Sequence, residues 1–171
     1  MKTYVINWYG PYSPEEIKHD KETELPVTAN GLYLLSGKNS NAEKKCKLKY
    51  IGKTKTEFKA RFKNHHALGL IKHVQIWIGH IVSPAHLDDT DLRLAEYILT
   101  YFSDYNLNNQ VNLKNPPKES GIVLSSWYKR DCTKRVKHPS AVTNFSDVLL
   151  WDSESQTLRH IERLKVLELA D

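Results

Sequence analysis

Short apolar runs separated by polar, turn-forming stretches mark the first half of this chain. Residues 4–6, 31–36 and 48–52 each read as a strand, and the Gly-, Asn-, Ser- and Lys-rich stretch between the last two suits a hairpin connection. Ser13-Pro14-Glu15-Glu16 opens a helix, with proline in the first turn and two acids beside the positive end of the helix dipole. Thr54 followed by Glu57 is a capping-box pattern, which predicts a further helix from about residue 55 with Phe58 and Phe62 on its buried face. In residues 73–81, Val74, Ile76 and Ile78 alternate with Gln75 and Trp77, the period of a strand. Residues 90–102 return to helical spacing: Leu92, Ala95, Glu96 and Leu99 fall on one stripe, with Thr90 or Asp91 as N-cap. Asn115-Pro116-Pro117 stops any regular element. Beyond it, residues 147–152 read as a strand and 153–156 as a turn, while 158–169 suit a strand or a short helix.

At 171 residues the chain can bury one ordinary core. The expected organisation is a lead-in strand and helix over 1–29, a central α+β core over 30–115, and an ordered extension over 116–171. That extension packs on the core and offers a DNA-binding or dimer surface.

Candidate chemistry gathers in the core. Side chains alternate faces along a strand, so Tyr33 points away from Leu32 and Leu34, Tyr50 points away from Ile51, and a suitable register puts both phenols on one face. Taken singly, each is also an ordinary strand tyrosine. Arg61 and His65, four apart, lie on a strip beside Phe58 and Phe62, with Lys59, Lys63 and His66 on a more exposed side. A guanidinium can hold a phosphate through two parallel hydrogen bonds, and an imidazole can relay a proton near neutral pH. A solvated amphipathic helix would carry the same residues. Glu96, on a buried stripe, requires a cation, either a metal or a basic side chain.

Whole-chain properties narrow the classes. A net charge of +5 and an isoelectric point near 9.1 suit a phosphate-rich partner. Two cysteines, Cys46 and Cys132, make no disulfide framework and no zinc pattern, and the eight histidines lack ligand spacing. Neither a long apolar span nor a signal-peptide core is present, so a soluble cytoplasmic protein with no membrane partner is expected.

Gly31-Leu32-Tyr33, Tyr50-Ile51-Gly52, Arg61 with His65, Glu96 on a later helix and Leu107-Asn108-Asn109 follow one another in a familiar order. Over roughly residues 30–110 the chain resembles the GIY-YIG nuclease family, in a GLY…YIG variant similar to its compact restriction-type members or its stand-alone endonucleases. The resemblance implies an α+β (mixed α/β) fold with a small, mainly antiparallel sheet flanked by helices. It also implies an endonuclease that hydrolyses DNA phosphodiester bonds with a tyrosine-activated water and one Mg2+ or Mn2+ ion per site. Tyr33 would be the general base, helped to ionise by His65; Tyr50 would position the water or a phosphate oxygen; Arg61 would neutralise the phosphate. Glu96 would hold the metal, and Asn108, or else Asn109, would match the family asparagine. Cutting both strands calls for a homodimer or two successive nicks. The alternative is a non-catalytic nucleic-acid-binding module of the same fold. Lys49, Lys53, Lys59 and Lys63 near the site, and Lys129, Arg130, Lys134 and Arg135 beside Trp127 and Tyr128, are candidate backbone contacts, as are the loop lysines Lys38, Lys44, Lys45 and Lys47. All of these equally suit a solvated basic surface.

Overall fold

Strand β1 (Lys2–Tyr12) runs through the middle of a seven-stranded sheet in the computed structural model, which describes residues 1–19, 29–103 and 115–164. The other strands are β2 (Ala29–Lys38), β3 (Lys47–Glu57), β4 (Lys72–Ser83), β5 (Gly121–Tyr128), β6 (Val148–Asp152) and β7 (Thr157–Ile161), in the order β3-β2-β4-β1-β5-β6-β7. Only β1 and β5 pair in parallel; every other neighbouring pair is antiparallel. The helices are α1 (Pro14–His19), α2 (Phe58–Lys63) and α3 (Asp89–Tyr101), with single 3-10 turns at His66–Leu70 and Ser140–Val142. The fold is therefore mixed α+β, with a mostly antiparallel sheet. Among the described residues no helix is long and apolar enough to cross a membrane.

The two faces of the sheet are covered by different elements. Leu92, Leu94, Ala95, Ile98 and Leu99 of α3 pack on one face, into a cluster that includes Tyr4, Trp8, Leu34, Ile51, Trp77 and Val123. On the other face Phe58 and Phe62 of α2, with Ile17 of α1 and Ala67, cover Tyr33, Leu35, Tyr50, Ile76 and Ile78. Residues 73–81 read as a half-buried strand, yet Trp77 is as buried as Ile76 and Ile78. A strand with neighbours on both sides and helices on both faces has no solvent side.

Several boundaries differ from the sequence expectation. The helix expected from about residue 55 begins at Phe58, because β3 keeps its pairing with β2 as far as Ala29 opposite Glu57. Thr54 Oγ1 donates to the Thr56 carbonyl at 2.9 Å and accepts the Thr56 N–H at 3.1 Å, so the capping residue is spent within an extended segment. β-branched residues favour that conformation. The helix stops at Lys63, so His65 lies beyond it and caps the following 3-10 turn instead. Asp88, rather than Thr90 or Asp91, is the N-cap of α3: its carboxylate accepts the Asp91 N–H at 2.7 Å in a capping box. The expected helix opening at α1 is present, and it closes a capping box that the sequence reading did not name, with Ser13 Oγ accepting from Glu16 N and Glu16 Oε2 accepting from Ser13 N. Strand β1 extends well past residues 4–6 because Lys2 to Tyr9 pair with β5. The expected lead-in and extension thus contribute β1, β5, β6 and β7 to the same sheet as the core strands. Of 158–169, the part up to Ile161 is strand, and residues from 165 onward lie outside the described residues.

Candidate active site

Register brings the two tyrosines together. Tyr33 lies opposite Gly52 and Leu35 opposite Tyr50, so the phenols are diagonal neighbours on one sheet face, their rings stacked at 6.0 Å and 16°. Gly52 is what allows this. A Cβ there would lie 2.5 Å from Tyr33 Cζ and 2.7 Å from Tyr50 Cε1, inside contact distance of both rings. Gly52→Ala is expected to destabilise the fold by about 1–3 kcal/mol, as overpacking in a filled core does, and to splay the two phenols. Chemical denaturation reads the first effect; a loss of stacking-dependent tyrosine fluorescence reads the second.

Arg61 and His65 close over the phenol from the far side. Arg61 Nε donates to the Tyr33 hydroxyl at 2.9 Å, and His65 Nε2 lies 2.7 Å from the same oxygen. The Tyr50 hydroxyl also lies within the electrostatic reach of Arg61, so one guanidinium acts on both phenols. The imidazole's tautomer follows from its other nitrogen, which accepts the Ala67 N–H at 3.2 Å. Burial, reinforced by the charges of Arg61 and His66, pushes His65 down to about 4, so it is neutral near pH 7. A neutral ring whose Nδ1 accepts carries its proton on Nε2, so His65 donates to Tyr33 alongside Arg61. Tyr33 is fully buried. Burial, with Tyr50 adding to it, holds its phenol well above the ordinary tyrosine range, while Arg61 pulls the other way.

Glu96 lies within the electrostatic field of the cluster, around the edge of the sheet. It sits on α3, which packs on the opposite face from the tyrosines, but β3 is an edge strand and its Lys53 N–H bonds the Glu96 carboxyl. Burial raises this carboxyl to about 7, against the opposing charges of Lys53, Arg61 and Arg93. The Arg61 guanidinium therefore acts on Tyr33 by direct contact and on Glu96 through its field. Among the described residues no three His, Cys, Asp or Glu side chains form a metal-binding group. A half-buried single carboxyl does fit a hard divalent ion of the magnesium type, which keeps most of its waters and takes the rest of its ligands from phosphate.

The other candidates divide. Lys59, Lys63, Lys129 and Lys134 are exposed. Lys49 is buried and paired with Glu43 at 2.9 Å, and Lys53 is paired with Asp89 at 2.9 Å. Arg130 bonds the Pro11 carbonyl at 2.5 Å, pairs with Glu16 and lies over the Tyr12 ring. Arg135 bonds the Gly10 carbonyl at 2.8 Å and lies over Trp77. Both arginines thus tie the end of β5 to β1. Asn108 and Asn109 lie outside the described residues.

Asp89 was not singled out by sequence reasoning. It takes Lys53 at 2.9 Å and Lys55 at 2.8 Å, tying the helix that carries Glu96 to the strand that carries Tyr50. The signal available was a surplus of acid: Asp88-Asp89-Thr90-Asp91 holds three carboxylates where one cap is needed.

No family model, curated protein or solved structure matches this chain.

Proposed function

We propose that this protein is a metal-dependent endonuclease that hydrolyses DNA phosphodiester bonds, working in the manner of the GIY-YIG family. The observation that carries the reading is the Tyr33 oxygen held by Arg61 at 2.9 Å and His65 at 2.7 Å beside Tyr50, with the Glu96 carboxyl inside the field of Arg61. Two N–H donors on one phenolic oxygen favour its ionised form, which is what a general base requires. In the free protein burial wins and Tyr33 stays protonated.

A scissile phosphate supplies the missing step. Arg61 is only half-buried, and a phosphate would take donors of its Nη groups while Nε stays on the Tyr33 oxygen. The bound phosphate would then hold the attacking water against that oxygen. The phenolic proton leaves through Tyr50, which interacts with the Tyr33 hydroxyl and lies nearer solvent. Tyr33 then takes a proton from the attacking water, while Arg61 offsets the charge building on the phosphate. Glu96 would hold a divalent ion, whose chemistry there is Lewis-acid stabilisation of the phosphate and leaving oxygen.

Nicking of supercoiled plasmid tests the reading. Wild-type protein is expected to nick with Mg2+ or Mn2+ and to stop on chelation, and Arg61→Ala is expected to lose about a hundredfold or more. Binding without nicking under every divalent ion tried would leave a non-catalytic nucleic-acid-binding module.

A further inference from the structure

A concavity that begins at the same edge strand, but opens on the α3 face of the sheet, takes no part in the chemistry above. It is a groove of about 360 Å3 between the start of β3, the C-terminal end of α3 and the 140–146 turn. We propose that this groove holds a nucleotide of the substrate strand some way from the scissile phosphate; the inference rests on the nuclease reading and adds a binding subsite to it.

Three observations carry it. The first is position. Lys47 is three residues of strand from Tyr50, about 10 Å at 3.3 Å per residue. Phe102 is six residues from Glu96 along the helix, about 9 Å at 1.5 Å per residue. Strand and helix give the same offset along the sheet, so on the α3 face the groove lies about three steps of a nucleic-acid strand, at 3.4 Å each, from Glu96, with the tyrosines on the other face. The second is charge. Lys45 and Lys47 stand exposed on the rim, and neither forms an ion pair among the described residues. The nearest loop carboxylate, Glu43, is paired with Lys49 at 3.0 and 2.9 Å and acts on Lys47 only through its field. Among the described residues no carboxylate lines this groove; Glu162 lines an adjoining hollow of about 320 Å3. The third is the inner surface. Phe102, Leu48 and Leu149 make an apolar floor, and Thr143, Asn144 and Ser146 add neutral donors and acceptors. Cations at the rim, an aromatic floor and amide or hydroxyl groups between them are the combination that takes a phosphate, stacks a base and reads its edge.

The test uses the full chain and a pool of random-sequence duplexes. Lys45→Glu with Lys47→Glu is expected to raise KM about tenfold or more with kcat within twofold, and to lower the salt slope of binding by about two, one for each lost phosphate contact. Asn144→Trp, which fills the groove, is expected to raise KM with the salt slope unchanged. Cys46 lines the groove and Cys132 is exposed elsewhere. Duplexes carrying an activated disulfide tether should therefore couple to Cys46 in preference to Cys132, and Asn144→Trp should block that coupling. Unchanged KM and salt slope in both variants, with wild type still nicking, would overturn the groove and leave the nuclease standing. A change in the protein's mass by sedimentation on Asn144→Trp would overturn it too, as a surface between copies of the chain. Wild type that neither binds nor nicks DNA removes both proposals.

Discussion

Tyr33→Phe is expected to cut metal-dependent nicking by about a thousandfold, within the hundred- to ten-thousandfold range that a positioned base supplies. The substitution removes one oxygen and keeps the ring against Phe58, Phe62 and Tyr50. Its structural cost is the loss of an acceptor for Arg61 and His65. Arg61 can turn to solvent, but buried His65 cannot, so a cost of about 1–3 kcal/mol is expected, or several degrees in Tm for a chain of this size. Activity measured well below Tm separates the two effects. The pH profile separates base from scaffold. Because burial holds Tyr33 above the ordinary tyrosine range, wild-type rates should climb about tenfold per pH unit through the alkaline limb, and the residual rate of Tyr33→Phe should be flat there. Tyr50→Phe should keep the slope with a smaller loss. If Tyr33→Phe retains the slope and Tyr50→Phe abolishes it, the two phenols exchange roles.

Much of this arrangement could be read from local pattern, and the parts that could not share a cause. Strands β2 and β3 follow from short apolar runs either side of a turn-forming stretch, and β4 from period-two alternation. Tyr33 and Tyr50 share a face because the hairpin puts Tyr33 opposite Gly52, a pairing that the two motifs make probable but that only the register decides. Helix α3 and its Glu96 follow from 3.6-residue spacing, with the cap moved to Asp88 because three acids compete for one role. The misreading at residue 55 has a tertiary origin: pairing with β2 holds Thr54 and Thr56 extended, and that long-range ladder outweighs a local capping box. His65 illustrates a second limit. Its place in the site was legible from Arg61-x-x-x-His65, yet its behaviour as a donor depends on the Ala67 N–H at Nδ1, a contact created by the 3-10 turn. Long-range pairing also explains β1. Nothing in Met1-Lys2-Thr3-Tyr4 distinguishes a lead-in strand from the centre of a sheet, because its parallel partner β5 begins at Gly121.

Glu96→Gln carries the other large expectation, because it should reduce activity and raise stability together. The Glu96 carboxyl titrates at about 7 in the folded protein against an ordinary value of 4.5, and burial is the main cause. Between those values the folded state holds a proton that the unfolded chain has released. Stability therefore falls as pH rises from about 4.5 to about 7, by up to about 3 kcal/mol, and levels off above. Glutamine stays neutral and can still accept the Lys53 N–H. The variant should match wild type near pH 4 and exceed it by that amount at pH 8, read as the difference between their urea-unfolding curves. Millimolar Mg2+ should close the gap at pH 8 by raising the Tm of wild type alone, since an ion bound to the ionised carboxylate stabilises only the folded state. Nicking by Glu96→Gln should fall at least a thousandfold at every pH. A flat difference curve would place Glu96 in solvent and remove the desolvated carboxylate from which the metal site is argued. A stable variant that still nicks would move the metal to other ligands.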